Sequence, residues 1–263
     1  MATDKQADQM LKKHKLGSWP YLLAVPAFIL VWEVLVRTLN LPAFILPAPQ
    51  QVGQRFLDAL QDGSLVRHTI ITLLEVLSGL LAGITTATIL GYLLSKSRLL
   101  EQALSPFLVA SQAIPLVAIA PLLVIWFGPG IFSKILICAL IVFFPVLVNT
   151  IVGLRAVPDT LHDLMRSMRA TPSQTLRYLE LPAALPIFLG GLRIGATLSV
   201  IGAVVGELVG ADRGLGFLIN VGRGQYDTAL VFAAVFTLIA LALTLYGLVL
   251  LLEKRFLRWQ STK

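Results

Sequence analysis

Charge is scarce in this sequence. Of 263 residues only 13% are Asp, Glu, Lys or Arg, 57% are hydrophobic, and mean hydropathy is +0.84; an ordinary soluble domain carries roughly 25% charged residues. One core cannot enclose so much apolar surface, because burial is limited by surface-to-volume scaling, so soluble globular and disordered classes are excluded. Cysteine occurs once, at Cys138, which rules out an intrachain disulfide framework. The three histidines, His14, His68 and His162, are scattered, and neither His-Glu-x-x-His, a Cys pair nor Gly-x-Ser-x-Gly is present. Metal and nucleophile chemistry therefore lack their signatures. The nearest approach to a phosphate loop, from Gly128 to Lys134, lacks the second glycine before its lysine and the Ser/Thr after it. What these absences leave is an all-α polytopic membrane protein, a single bundle of about six helices. The net charge of +7 and pI near 9.8 then read as basic loops on one membrane face, with no nucleic-acid partner.

The apolar runs place the spans. Residues 1–18 are a polar tail with Lys5, Lys12, Lys13 and Lys15, without the cleavage site of a secretory signal. A first span covers about 19–39, with Trp19 and Tyr21 suited to one interface and Arg37 to the other. Pro42, Pro47 and Pro49 break the chain. Val52, Phe56, Leu57 and Leu60 then recur at helical spacing beside Gln54, Arg55 and Asp58, which predicts a short interfacial helix over 50–61. Further spans are predicted over about 69–94, 104–127 (interrupted by Pro115 and Pro121), 132–152, 183–209 and 229–252, with a Gly-rich loop over 211–227. Fourteen Lys and Arg residues fall on the side of both termini and the loop from Arg155 to Glu180. Six fall opposite, at Arg37, Arg55, Arg67, Lys134, Arg213 and Arg223, with Arg193 inside the fifth span. The positive-inside rule puts the termini and that loop in the cytoplasm.

The loop reads as folded. Leu161, Leu164, Met165 and Met168 make one stripe of an amphipathic helix, with Pro158 upstream and Thr160 followed by Asp163 offering an N-cap. Thr171, Pro172 and Gln174 supply a cap, a first helical position and a capping-box partner for a second helix, which carries Leu176, Tyr178 and Leu179 and stops before Pro182. Either the pair is an interfacial hairpin that merely connects two spans, or it docks a cytoplasmic partner.

The stretch from Asp163 to Pro186 resembles the EAA coupling loop of ABC-importer permeases, whose pattern is Glu-Ala-Ala, a Gly-Ala-Ser turn and a closing Leu-Pro-x-x-x-Pro. The resemblance runs from about Leu65 to Leu252 and is nearest the branch serving nitrate, sulfonates, taurine, thiamine precursors and riboflavin. The runs Ala113–Pro121, Leu123–Gly128 and Gly202–Glu207 support it. This chain departs with Asp163 for Glu, Leu164 and Met165 for two alanines, and Arg169 for Gly. A non-glycine residue in a left-handed helix cap costs on the order of 1 kcal/mol.

The resemblance implies a permease core over 65–252 with the coupling loop at 155–182, a first span and external helix over 19–64, and a cytoplasmic tail over 253–263. It implies no enzyme activity and no cofactor bound by this chain, with ATP and Mg on a partner ATPase. An extracytoplasmic binding protein and a second permease copy complete the assembly. Contact with the ATPase falls to Leu161, Asp163, Leu164, Met165, Arg166, Met168, Arg169, Ala170, Thr171 and Gln174. The transported compound is then a small organic nutrient, riboflavin or a thiamine pyrimidine precursor first, a sulfonate, taurine or nitrate as the alternative.

Within the spans, Glu75, Arg193 and Glu207 are ionisable and candidates for the translocation pathway. The alternatives are pairing of Glu75 and Arg193 across helices and an outer-interface position for Glu207. Trp126 and Asn149 are further pathway candidates, with a belt anchor the alternative for Trp126. Two small-residue ridges, Gly191-Gly195-Ser199 and Gly202-Gly206-Gly210, with Gly79-Gly83-Ala87, predict close helix packing inside one subunit. An ion-coupled secondary transporter is the rival class, but no internal repeat is evident.

Overall fold

The computed structural model describes residues 19–113 and 116–257. The tail lysines, Pro115, Arg258 and Lys263 lie outside the described residues, as do the side chains of Trp19 and Tyr21. Every regular element among the described residues is helical: α1 (Trp19–Thr38), α2 (Pro49–Gln61), α3 (Ser64–Lys96), α4 (Arg98–Ala113), α5 (Leu116–Phe127), α6 (Ile131–Arg155), α7 (Asp159–Ser167), α8 (Pro172–Thr175), α9 (Leu181–Gly210), α10 (Leu215–Gly224) and α11 (Thr228–Phe256). A π-helical turn, Leu176–Glu180, joins α8 to α9. Among the described residues α3, α6, the α8–α9 run and α11 are long and apolar enough to cross a bilayer. Helix α1 has 20 residues, about 30 Å at the α-helical rise, and matches the hydrocarbon core in length.

Over the span expected at 104–127 the described residues show α4 up to Ala113 and α5 from Leu116; residues 114 and 115 lie outside them. Two other sequence expectations need correcting. The second loop helix does not stop before Pro182. It runs on through the π-turn, where the Leu181 amide bonds to the Leu176 carbonyl. Widening the helix there makes room for a proline ring that otherwise meets the carbonyl four residues back. The Gly-rich stretch 211–227 is not all loop, because Leu215–Gly224 forms α10 and buries Leu215 and Leu218.

Packing is organised around α6, which lies between α3 and α9 and makes its most extensive contacts with them. Both neighbours present small residues to it. A Cβ on Gly83 would stand 2.7 Å from the Ala139 carbonyl, and one on Gly202 would stand 2.9 Å from the Cys138 Cα. Gly91 faces Thr150 and Gly195 faces Val142 in the same way. Between apolar helices in lipid, association rests on such close van der Waals approach, since no hydrophobic force separates one apolar surface from another. The ridges therefore pack within one chain. Helix α11 lies against α9 and α10, and Leu230, Ala234, Leu238, Leu241, Leu245 and Val249 join Ala196, Val200 and Ala203 in the largest core cluster.

At the end opposite α7, α2 does not simply rest on lipid. Val52 and Ala59 are buried, and Arg55 donates to Asp227 at 2.7 Å. Asp227 also caps α11 by accepting from the Leu230 amide at 3.0 Å. The turn into α3 is held by Ser64, whose amide donates to Asp62 at 2.7 Å; hydrogen bonds from Ser64 keep that exposed carboxyl below its usual value. Replacing Gly83 or Gly202 with leucine is expected to overpack the slot and cost about 1–3 kcal/mol. The Gly190→Leu control, where a Cβ meets nothing within 4 Å, is expected to be neutral. Thermal unfolding of the detergent-solubilised chain, followed by size-exclusion fluorescence, checks the contrast.

Candidate functional site

The candidate site is the segment from α7 to the π-turn. Pro158 precedes α7 with φ −60° and ψ 141° and makes no side-chain cap. The N-cap expected from Thr160 and Asp163 is therefore absent, since Thr160 already lies within the helix. The helix ends as a Schellman motif: Ala170 N bonds to Met165 O at 2.9 Å and Arg169 N to Arg166 O at 2.9 Å. That geometry requires a left-handed residue, and Arg169 supplies it at φ +55°. The backbone thus keeps the turn that glycine would make easily, at the cost of strain in a side-chain-bearing residue. Thr171 and Gln174 form the expected capping box, with Thr171 N donating to Gln174 Oε1 at 2.8 Å and Gln174 N to Thr171 Oγ1 at 3.3 Å.

The stripe on α7 divides. Leu161 is 40% exposed, Leu164 53% and Met168 69%, while Met165 turns inward and is half-buried. No residue of α7 is buried. Two large apolar side chains on a nine-residue helix, and Met168 at its C-cap, thus stand open beside Asp163 and Arg166, whose mutual contact of 3.3 Å is itself exposed. Such a surface pair contributes little to stability. It leaves both charges free to be read by a partner.

Beneath α7 lies a cluster that the sequence spacing did not reveal. Glu180, the last residue of the π-turn, is 3% exposed and accepts from Lys96 Nζ through both oxygens, at 2.6 and 2.8 Å. His162 Nε2 lies 3.3 Å from the same Oε1. Arg155 pairs with Glu101 alongside. Lys96 and Glu180 are 84 positions apart, so no local pattern links them.

The pathway candidates separate in the same way. Arg193 pairs with Glu253 of α11 and stacks 5.6 Å from the Tyr246 ring. It does not pair with Glu75. Asn149 packs against Gly191 and donates to the Pro145 carbonyl at 2.8 Å. Trp126 is 67% exposed on α5. Glu207 is fully buried at the end opposite α7, where it accepts from Thr72 Oγ1 at 2.6 Å and from the Gly216 amide at 2.5 Å. Thr72 accepts in turn from Leu215 N at 2.9 Å, and His68 Nδ1 from Gly214 N at 2.9 Å. This carboxylate fastens the start of α10 onto α3. Glu75 stands beside it with Lys134, whose ammonium donates to the Pro129 and Gly210 carbonyls. Those partners come from segments far apart in the chain, so no local pattern links them.

Two changes at the turn test its geometry. Arg169→Gly is expected to relieve about 1 kcal/mol of left-handed strain and raise the unfolding temperature of the isolated chain. Thr171→Ala is expected to lose about 1 kcal/mol with its cap and lower it. Both shifts are measurable by thermal scanning of purified protein.

Residues 79–258 match the family of binding-protein-dependent transport system inner membrane components. The chain is 48% identical over 247 residues to the riboflavin transport system permease protein RibX of Chloroflexus aurantiacus, covering 93% of this chain and 92% of that one. It is 38% identical to the formylaminopyrimidine transport permease protein ThiX of Halalkalibacterium halodurans (89% and 92% covered) and 34% identical to the taurine permease TauC of Escherichia coli (88% and 85%). Its fold matches a chain of the inward-facing MetNI methionine ABC transporter with a TM-score of 0.65 at 21% identity, covering 74% of this chain and 97% of that one. With an all-helical bundle, several apolar spans and this family match, the chain belongs to the permease subunits of ABC importers: a multi-pass inner-membrane transport protein, not an enzyme, whose family implies an ATPase and a substrate-binding protein as partners.

Proposed function

We propose that two copies of this chain line the translocation pathway for a small aromatic heterocycle, riboflavin first, with both termini and α7 in the cytoplasm. The observation that carries the docking half of this reading is the open stripe of Leu161, Leu164 and Met168, which has no use in the isolated chain and suits an apolar groove on an ATPase. Asp163, Met165, Arg166, Arg169, Ala170, Thr171 and Gln174 frame it and set its angle. The excess of basic residues on the α7 side supports the orientation. The substrate half rests on the 48% identity to a riboflavin permease. The 38% identity to the formylaminopyrimidine permease makes a thiamine pyrimidine precursor the second reading.

This chain binds no nucleotide in the proposal; ATP and Mg sit on the ATPase, whose closure draws the two α7 helices together and turns the cavity over as a rigid-body switch. Trp126 keeps an open face toward a second copy or the pathway. Asn149, Arg193 and Glu207 have polar groups engaged within the chain, and Glu75 adjoins Glu207.

Asp163→Arg and Leu164→Glu are each expected to leave the protein in the membrane while reducing the co-purified ATPase at least tenfold, read by affinity capture and mass spectrometry. Undiminished capture by both variants would remove the docking assignment. For the substrate, calorimetric titration of the cognate binding protein with riboflavin and with formylaminopyrimidine is expected to show tighter binding of riboflavin. Binding of taurine alone would refute the heterocycle reading.

A further inference from the structure

We propose that Lys96, Glu180 and His162 form the strut through which movement of α7 reaches the membrane core, making Glu180 a positioning residue for the coupling of ATP hydrolysis to transport. The inference rests on the docking reading of α7 above and specifies what lies behind that surface.

Four observations carry it. Helix α7 has no fully buried residue, and only His162 and Met165 are half-buried, so little packed surface ties it to the bundle. Among the described residues, the contact of His162 Nε2 with Glu180 Oε1 at 3.3 Å is the one side-chain hydrogen bond from α7 to another element. Below α7 there is instead a cavity of about 550 Å³, lined by Lys96, Arg155, Asp159, His162 and Glu180 among others. Beside the half-buried Met165, the polar link is the side-chain connection through which a displacement of α7 reaches a buried group.

The far side of the link is rigid. Glu180 is held bidentately by Lys96, the last residue of α3, and α3 is the 33-residue helix whose glycine face grips α6. Glu180 also closes the π-turn and feeds directly into α9, the other wall of the slot. One buried carboxylate thus joins α7 to both helices that hold α6. A π-turn is a site where a helix changes register at low cost, and such turns recur at functional positions. A buried carboxylate paired with a lysine is also sensitive to loss of that partner, because the remaining charge is left uncompensated.

The test uses the complex of the full chain with its ATPase in nanodiscs and Mg-ATP as the probe, so that it needs no knowledge of the transported compound. Cys138 is buried, so Tyr226→Cys, at an exposed position at the end opposite α7, takes an environment-sensitive dye selectively within this chain. In the otherwise native chain, Mg-ATP is expected to change the dye's emission. Glu180→Gln is expected to retain the ATPase and hydrolyse ATP within about twofold of the native rate, while the emission change falls at least fivefold. Should Glu180→Gln fail to fold, His162→Ala, on a surface helix, is expected to reduce the response at least threefold with hydrolysis retained. The swap of Lys96→Glu with Glu180→Lys is expected to recover at least half of the response. A native response in both Glu180→Gln and His162→Ala overturns this inference alone, and so does loss of the response only in step with loss of the ATPase. A native chain that captures no ATPase overturns the docking reading, and this inference with it.

Discussion

The slot that holds α6 is the constraint on which the rest depends. In lipid, apolar side chains gain nothing by leaving one another's company, so helices adhere through close fit and through polar groups that have no other partner. Here the fit comes from glycine. Gly79 and Gly83 on α3 and Gly202 on α9 let both helices approach the α6 backbone more closely than a Cβ allows, and Gly91, Gly195 and Gly206 seat against its side chains. A slab of three long helices results. The remaining elements are attached to its faces and ends: α11 against α9, α2 over α11, and α5 beside α6 and α9.

The two ends of the slab are closed by different chemistry. Opposite α7, a fully buried Glu207 accepts from Thr72 and from the Gly216 amide, so the chain leaving α9 is stitched to α3 before it enters α11. Gly214 and Gly216 have to be glycine, since a Cβ at either position meets the Glu207 side chain. At the α7 end one buried carboxylate is held by Lys96, with His162 beside it and a cavity next to them. The two ends thus differ in how their buried carboxylates are held: Glu207 by hydroxyl and backbone donors, Glu180 by a lysine beside a cavity.

The sequence was most legible where signals are local. The capping box at Thr171 and Gln174 formed as its spacing foretold, and the Schellman turn formed although Arg169 replaces the usual glycine, because the backbone bonds of Ala170 and Arg169 do not depend on side-chain identity. Periodicity found the α7 stripe but not its split, in which Met165 is half-buried while Leu161, Leu164 and Met168 stay exposed, because burial depends on neighbours that a local pattern does not name. The stop expected at Pro182 failed for a related reason. A missing amide ends a helix unless the helix widens, and the π-turn just before Pro182 is that widening.

Length of apolar run, charge asymmetry and the spacing of small residues were thus enough to determine a helical membrane bundle, its approximate spans and the segment that resembles a coupling loop. Each is a property of a stretch of chain against a fixed solvent, the bilayer, and is readable without knowing any neighbour. The pairings were decided only by the tertiary structure: Glu180 with Lys96 and His162, Arg193 with Glu253, and Glu207 with Thr72 and Gly216. An ionisable residue in a span must find a partner because leaving it bare is costly. Which partner it finds depends on helix rotation and register, and those are set by how the glycine faces seat against α6.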